Sequence, residues 1–354
     1  MTENVSIVAE SATRIFADLA DPQTINRAKD AAWKAPLWQA LTDAGLTLAW
    51  VPEALGGSDA GLAEGFEVID VAGRFAASVP LVETLLAGWL LSQGGIASPG
   101  GPMTIAPGRP SDTIGLNASG KLSGRARGIP FAQDCEHIAV LASGAEGASI
   151  ALVETKNCRV TPGANPAGDA SNEVLFADTP AVEWRPASAG FDRTAMLLMG
   201  GVARSVQTAG ALGAVLRMSV AYANDRVAFE RPIAKFQAIQ HSLAQLAGEV
   251  AAAVAASGSA ADAIAHMQSF DDQIFLEAAS AKIRSAEAAE KGAAIAHQVH
   301  GAIGFTNEHI LHRFTLRMLA WRDDFGNESH WAVELGRKVA AGGADAFWPL
   351  LASR

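Results

Sequence analysis

The sequence predicts a mainly α protein with a central β-domain. Three observations lead to this fold class: apolar residues recur at helical spacing over residues 1–100, short β-type runs fill residues 101–189, and Ala-rich helical patterns return over residues 190–354. A chain of 354 residues is long enough for three domains with these bounds. We expect an N-terminal helical domain, an all-β domain and a C-terminal antiparallel four-helix bundle.

In the N-terminal third, residues 36–44 and 60–75 have helical spacing on either side of the glycine-rich turn VPEALGGSDA. The apolar run 79–96 contains Glu83, Gln93 and glycines, so it indicates a buried helix and not a membrane span. In the middle third, runs such as HIAVLA, ASIALVE and EVLFA predict six or seven short strands.

In the C-terminal half we expect five helices. Their predicted bounds are about 193–229, 233–256, 272–298, 308–321 and 328–341. Ala and Gly line these segments densely, which allows helices to approach closely. The patch AAAVAASGSAADAIAH is interpreted as a helix end followed by a loop.

Composition narrows the classes of function. The net charge is −10 and no Lys/Arg run stands out, so nucleic acid is not an expected partner. The opening residues MTENVSIVAESATRIF have neither a basic nor an apolar leader region, which predicts a cytoplasmic protein without a secretion signal. Cys135 and Cys158 lack metal-type spacing and are expected to be free thiols.

The segment YANDRVAFERPIAKFQAIQ, residues 222–240, is the first candidate site. A helical pattern breaks at Arg231-Pro232, where proline removes a backbone donor, and a second helix follows at once. This arrangement brings Arg226, Phe229 and Gln237 near one corner. A cation, an aromatic face and an amide together are suited to gripping one ligand.

The second candidate site is the segment QVHGAIGFT, residues 298–306. A glycine turn at a helix end lets a pyrophosphate or an adenine edge approach the backbone, and Gln298 supplies an amide. The alternative is an ordinary glycine C-cap. Nearby, His297, His300, His309 and His312 form two pairs with i, i+3 spacing, which we interpret as solvent-facing or capping residues and not as metal ligands.

The two segments resemble the R-x-x-F-[GE]-x-P-I-x-x-F-Q corner and the Q-x-x-G-G-x-G-[FY]-[TN] turn of acyl-CoA dehydrogenases, and VPEALGGSDA resembles that family's P-E-x-x-G-G segment. The resemblance implies an N-terminal helical domain, a middle β-barrel or sandwich and a C-terminal four-helix bundle. It also implies FAD held between two subunits, an acyl-CoA substrate that undergoes α,β-dehydrogenation, and an electron-transfer flavoprotein as electron acceptor.

The resemblance assigns roles to particular residues. Arg226 would contact the pyrophosphate, and Phe229 and Ile233 would pack near the ring system. Gln237 would bond to the adenosine portion, and Gln298 and Gly301 would line the same end. Ala302 stands where the family has its second glycine, which predicts a looser contact there.

The catalytic base departs from the family pattern. The usual glutamate position aligns with Phe325, and the position used by other members falls at or next to Gly200. Asp324 is the nearest candidate base, although Asp324 or Asn327 is also suited to capping the helix that follows. No Y-C-x-T-E-P-like segment is present: residues 92–111 hold mostly Gly, Pro and small residues.

These features resemble the short, degenerate subunit of heteromeric α2β2 acyl-CoA dehydrogenases of fatty-acid or steroid degradation. Such a chain would complete the flavin site of a catalytic partner. Two alternatives stay open: a self-sufficient homo-oligomeric dehydrogenase that uses Asp324, and a non-catalytic binding or scaffold protein of the same fold.

Overall fold

A computed structural model describes residues 6–145 and 147–352 of the chain. Residues 1–5, the start of the segment for which no secretion signal is predicted, lie outside this range. The α-helices are α1 Ile7–Leu19, α2 Pro22–Arg27, α3 Lys34–Asp43, α4 Leu62–Phe75, α5 Leu81–Gln93, α6 Arg193–Asp225, α7 Gln237–His266, α8 Asp272–His300, α9 Leu311–Trp321, α10 Glu328–Gly342 and α11 Ala344–Ala352. The β-strands are β1 Met103–Ala106, β2 Ile114–Leu116, β3 Lys121–Pro130, β4 His137–Gly144, β5 Gly147–Glu154, β6 Arg159–Thr161, β7 Ser171–Pro180, β8 Glu183–Pro186, β9 Val227–Ala228 and β10 Arg231–Pro232.

This order confirms the predicted fold class of helices, a central β region and a C-terminal bundle. The change from helix to strand falls between α5 and β1, and the return to helix falls between β8 and α6. The division of the chain into domains at residues 100 and 189 stays a prediction. None of the described helices combines the length and the apolar character that crossing a lipid bilayer requires.

The middle region is one eight-stranded sheet with the order β6-β7-β3-β2-β4-β5-β8, and β1 pairs with β4 in parallel. The predicted number of strands was therefore too low, because β1 and β6 are too short to give a pattern. Strand β4 is apolar at consecutive positions because both of its faces are covered. Ile138 and Val140 lie on one face of the strand, in a core formed by side chains of the other strands. Ala139 and Leu141 lie on the opposite face, in the core shared with the helices.

Helix α5 confirms the prediction of a buried helix, since every residue from Leu81 to Leu91 is buried. Such a helix needs apolar neighbours on all sides. The sheet lies on one of those sides: Thr84 Oγ1 accepts a hydrogen bond from the Met103 N–H at 3.0 Å and so ties α5 to β1.

The C-terminal helices α6 to α9 share a core that includes Leu212, Leu246, Ala289 and Phe314. Helix α6 also crosses α4 at very short range, as the density of small residues predicted. A Cβ atom on Gly73 would lie 2.1 Å from the Gln207 carbonyl oxygen, and one on Gly210 would lie 2.2 Å from that of Asp70. Only glycine fits at these two positions.

The predicted bounds of two helices were wrong. Helix α6 ends at Asp225 and not at 229, because the hairpin β9–β10 begins at Val227. Helix α7 starts at Gln237 after a 3₁₀ turn and continues through the predicted loop to His266. Its buried residues Ala253, Ser257, Ala260 and Ile264 have the spacing of a helix, and the many alanines outweigh the single Gly258.

Candidate functional site

The corner between α6 and α7 is a tight hairpin that displays an aromatic ring. The Ile233 N–H donates to the Arg226 carbonyl oxygen at 2.8 Å and closes the turn. Phe229 and Glu230 both have positive φ, 49° and 64°, a conformation that costs free energy for residues other than glycine. The Phe229 side chain is 89% exposed. The hairpin therefore holds Phe229 away from the protein.

Phe236 supports this hairpin from below. The Phe229 ring meets it edge to face at 6.1 Å, and the Arg231 guanidinium lies 4.3 Å from its centroid. Arg226 and Gln237 are exposed on either side of the turn, and Ile233 is half-buried. In the described part of the chain, no hydrogen bond or ion pair involves the Arg226 guanidinium. This cation is therefore free to meet an anion.

The glycine turn closes α8. Gly301 has φ 64°, and residues Gly301–Phe305 form a 3₁₀ turn. A Cβ atom on Gly301 would meet no atom within 4 Å, so the backbone there is open. Gln298 and Gly301 line a groove of about 800 Å³ between α8 and α9, together with Phe305, Leu316 and Leu319. That volume lies within the usual range of ligand pockets, about 300–1,000 Å³.

The structure brings the two predicted segments to the same end of the bundle. Tyr222, one helical turn before Arg226, stacks on the His300 ring with centroids 4.5 Å apart. His300 directly precedes Gly301. The spacing in the sequence does not reveal this contact, because it depends on α6 and α8 ending together.

The histidine interpretation was wrong in one respect. His300 is only 3% exposed, so it does not face the solvent, and the other three histidines are half-buried. The predicted capping role is confirmed for His309, whose Nδ1 accepts from the Leu311 N–H at 3.1 Å, and for His300, which bonds the Ala296 carbonyl oxygen at 2.8 Å. His297 stacks on Phe305 at 4.3 Å, and His300 meets His309 at 4.7 Å. Within residues 6–145 and 147–352, no group of His, Cys, Asp and Glu side chains has the arrangement of a metal site.

The two positions at which the resembled family places its base lie against each other. Phe325 is 2% exposed and its ring covers Gly200, where a Cβ atom would lie 2.4 Å from Phe325 Cδ1. The backbone is held on both sides: the Phe325 N–H donates to the Gly108 carbonyl oxygen at 2.9 Å, and Trp331 Nε1–H donates to the Phe325 carbonyl oxygen at 3.0 Å. An apolar ring on bare helix backbone cannot move a proton.

Asp324, the candidate base, belongs to a buried ion network. Its Oδ2 accepts from Arg204 Nε–H at 2.9 Å, and Arg204 also pairs with Glu83 and donates to Gln207 Oε1 at 2.6 Å. Lys282 donates to the Trp321 carbonyl oxygen at 2.8 Å. The capping role suggested for Asp324 falls to Asn327, whose side chain accepts from the His330 N–H.

Burial controls the protonation of this network. It raises the pKa of Asp324 and of Glu83, and the positive charge of Arg204 opposes that rise in both. Burial also lowers the pKa of Lys282 to about 8, while Asp324 acts in the opposite direction. Two carboxylates and two cations therefore compensate each other in the interior.

The network borders a cavity of about 210 Å³, below the usual range for a drug-sized ligand. Asp324, Asp323 and Trp321 form one wall, and Gly108, Arg109 and Phe131 of the sheet form the other. The small-residue connection after β1 thus reaches Phe325 and this cavity. Sequence reasoning missed Glu83, Arg204 and Lys282 here, although a lone charge inside an apolar helix was an available signal.

A family model for the C-terminal domain of acyl-CoA dehydrogenases matches residues 189–327. The chain is 27% identical over 320 residues to acyl-CoA dehydrogenase IpdE2 of Mycolicibacterium smegmatis, which covers 90% of this chain and 93% of that protein. It is 28% identical over 341 residues to acyl-CoA dehydrogenase FadE27 of Mycobacterium tuberculosis, with 86% of this chain and 88% of the relative covered.

Solved structures share the fold. A chain of the ChsE4-ChsE5 complex from Mycobacterium tuberculosis superimposes with a TM-score of 0.85 at 23% identity, over 97% of this chain and 99% of that one. The glutaryl-coenzyme A dehydrogenase glutaryl-CoA complex gives a TM-score of 0.79 at 19% identity, with 95% and 96% covered. At these identities the likeness is one of fold.

Proposed function

We propose that this chain, which belongs to the acyl-CoA dehydrogenase family, completes the flavin site of a second acyl-CoA dehydrogenase chain. Members of the family are oxidoreductases that act on a CH–CH bond. The observation that carries the proposal is the contact of Phe325 with Gly200. Both candidate positions for the base meet there, and neither has a carboxylate. The chain then depends on a partner for the proton transfer.

The open end of the bundle fits the far end of FAD. Arg226 is an unpaired cation suited to the pyrophosphate, and the bare backbone at Gly301 leaves room for close approach. Gln237 and Gln298 would donate to or accept from the adenosine portion, while Phe229 and Ile233 would pack near the ring system. Bound FAD supplies a hydride acceptor for the β-carbon of the substrate.

The closed end does not fit a flavin ring together with a thioester. The cavity beside Asp324 measures about 210 Å³, and the charges Glu83, Arg204 and Asp324 in its lining are paired with one another. The Phe325 ring fills the space above Gly200. We infer that this end maintains the fold of the chain and that the acyl-CoA reacts in the partner.

The comparisons suggest the class of assembly and substrate. One structural relative is a complex of ChsE4 with ChsE5, and another is described as a steroid acyl-CoA dehydrogenase, Tcur3481-Tcur3483, with a TM-score of 0.83. We therefore propose an α2β2 assembly in the cytoplasm that acts on a bulky, steroid-like acyl-CoA. An electron-transfer flavoprotein would receive the electrons.

A self-sufficient dehydrogenase is the second candidate. Asp324 lines the cavity, and its raised pKa is in the direction that favours a general base. Against this role, Arg204 Nε–H already binds Oδ2 at 2.9 Å and competes for the lone pair that a base needs. A scaffold that never binds flavin is the third candidate.

Visible spectra of the chain, purified alone and co-expressed with the acyl-CoA dehydrogenase encoded beside it, separate the three candidates. We expect a flavin absorption band only in the co-expressed pair, and we expect a bulky acyl-CoA to bleach it. The pair that carries Asp324→Asn should show the same band and the same bleaching. Asp323→Asn is the matched control, because Asp323 lines the same cavity. A bleachable band in the lone chain that Asp324→Asn abolishes would establish the self-sufficient enzyme, and absence of flavin from both preparations would establish the scaffold.

A further inference from the structure

The glycine turn rests on a cluster of aromatic rings, here called the imidazole cluster: His297, His300, His309 and His312. Tyr222 stacks on His300 at 4.5 Å and meets His309 edge to face at 6.2 Å. His300 and His309 lie 4.7 Å apart between ring centroids. Rings from α6, from α8 and from the segment that leads into α9 thus meet beneath one turn.

Hydrogen bonds define the neutral tautomers of the two rings on α8. His300 Nδ1–H donates to the Ala296 carbonyl oxygen at 2.8 Å, which leaves Nε2 as an acceptor. The Thr315 hydroxyl donates to the Leu311 carbonyl oxygen and accepts from His297 Nε2–H at 2.9 Å, which leaves Nδ1 of His297 as an acceptor. Both of these remaining nitrogens are buried, and no donor among the described residues reaches them.

The turn packs closely on the two histidines of α8. A Cβ atom on Gly304 would lie 3.2 Å from His297 Nδ1 and 3.1 Å from His300 Cβ. Phe305 covers the His297 ring with centroids 4.3 Å apart. An added proton on either nitrogen would therefore place a charge at a buried position, and no carboxylate of the described residues accepts a hydrogen bond from either ring.

Within the described part of the chain, no carboxylate forms an ion pair with any of the four rings. Helix α6 presents Tyr222, the turn presents no titratable group, the segment before α9 adds the exposed Glu308 next to His309, and α9 adds Arg313 and Arg317 beyond His312. Glu290, at the far end of the groove, is bound to Arg322 at 3.0 Å.

Electrostatics agrees with the geometry. Burial, as the main cause, lowers the pKa of His297, His300 and His309, and neighbouring imidazoles add to the effect for His297 and His309. These rings are neutral at neutral pH. In the unfolded chain they take up protons more readily, so the unfolded state binds more protons as the pH falls through about 6.5, and the stability of this end falls with it.

We propose that the imidazole cluster is a pH-sensitive latch on the glycine turn. At neutral pH the unprotonated rings hold Gly301–Phe305 closed, and protonation of His300 or His297 opens it. Because the turn carries Gly301, opening also loosens the grip on the partner's flavin. This last consequence rests on the proposed function, whereas the opening itself does not.

Hydrogen exchange of the lone chain tests the opening. The protection factors of amides 301–306 are measured between about pH 7.5 and pH 5.5, and we expect a fall of about tenfold for each coupled proton per pH unit below the unfolded-state pKa. The 3₁₀ turn Glu53–Leu55, which lies outside the cluster, is the internal control. In His297→Phe/His300→Phe the rings stay aromatic but cannot titrate, so the acid-dependent loss should disappear.

A matched variant is His266→Gln, which removes an exposed histidine on α7 that pairs only with Asp262. It should behave like the wild type. If the variant with two phenylalanines does not fold, NMR titration of the wild-type imidazoles replaces it. Constant protection of 301–306 down to pH 5.5, or titration of His300 at the ordinary imidazole pKa of about 6.5, would overturn the latch.

The flavin arm separates the two proposals. In the co-purified pair we expect flavin to be retained at about pH 7.5 and released at about pH 5.5, in parallel with the opening of the turn. A turn that opens in a chain that never acquires flavin with a partner would leave the latch standing and reject the proposed function. A pair that keeps its flavin while the turn opens would overturn the coupling alone.

Discussion

The glycine-turn end of the bundle and the junction under Phe325 differ in what covers their glycines. Gly301 has open space where a side chain would be, whereas the Phe325 ring fills that space at Gly200. The adjoining volumes differ in the same sense, about 800 Å³ at the open groove and about 210 Å³ at the closed cavity. One end leaves open space beside bare backbone, and the other is packed with the chain's own side chains.

The charges follow the same division. Arg226 is exposed and has no partner in the described chain, whereas Arg204 is buried and binds Glu83, Asp324 and Gln207. A guanidinium that is already satisfied has little left to offer a ligand. The difference teaches that the two ends of the bundle differ in the charge they leave free: among the described residues, the cation at the open end has no partner and the cation at the closed end is already bound.

The largest effect is expected in the closed network. Arg204→Met removes the cation that compensates two buried carboxylates and should lower the free energy of unfolding by about 3–5 kcal/mol. Urea denaturation measures this loss. Arg337→Met, which breaks an exposed pair with Glu334, is the control and should change stability by less than about 0.5 kcal/mol. A comparable effect of both variants would contradict the distinction between buried and exposed charge.

At the open end, Arg226→Ala should leave the stability of the lone chain unchanged and should weaken flavin binding in the co-purified pair. A charge-assisted hydrogen bond is worth about 1.5–3 kcal/mol, so we expect a loss of about 10- to 100-fold in affinity. Flavin absorbance after ultrafiltration gives the measurement. Arg337→Ala, distant and exposed, is the reference, and equal affinities of the two variants would remove Arg226 from the site.

The buried amine of Lys282 should make stability depend on pH. Its pKa falls from 10.5 to about 8, so between these values the unfolded chain binds more protons and the free energy of unfolding rises with pH. Across that pH range, the free energy of unfolding of the wild type should rise by on the order of 2 kcal/mol relative to that of Lys282→Met. Urea denaturation of both proteins at several pH values tests this. The buried thiols are present in both proteins, so their titration cancels in the comparison. If the free energies of unfolding of the two proteins changed in parallel with pH, Lys282 would have an ordinary pKa.

An effect of similar size is expected at the contact of Phe325 with Gly200. Gly200→Ala places a methyl group 2.4 Å from the ring and should destabilise the chain by about 1–3 kcal/mol, as overpacking does. Gly336→Ala is the control: it lies in α10, nothing lies near its Cβ position, and it should stabilise by up to about 1 kcal/mol. The double variant Gly200→Ala/Phe325→Ala should lose less stability than the sum of the losses in the two single variants. Additive losses would mean that the two residues do not press on each other.

Much of the fold was predictable because its elements have strong patterns. The alternation and apolar runs gave β4, β5 and β7, and the helical spacing gave α4, α5 and α8 within a few residues. The predicted end of α7 was wrong because Ser-Gly-Ser was given more weight than the buried spacing of Ala253, Ser257, Ala260 and Ile264. Short strands such as β6 have too few residues to show any period.

The candidate site was predictable only in part. The residues around Arg226 and Gln298 stood out because glycines and prolines mark turns where ligands bind. For His300, capping of α8 was predictable and burial was not, because nothing in a helix-end sequence shows that Tyr222 of another helix covers it. Arg204 lies 120 positions from Asp324 and 121 positions from Glu83 in the sequence, so no local pattern reveals that the three side chains bind each other.

The sequence by itself determined where most of the long helices and strands form, which segments carry turns and which two positions lack a carboxylate, since these depend on local spacing and residue chemistry. Only the tertiary structure decided that Gly200 meets Phe325, that Arg204 compensates Asp324, and that the glycine turn rests on a cluster of imidazole rings. Those contacts join residues far apart in the chain. They exist because helices packed at fixed distances leave each space to whichever side chain reaches it.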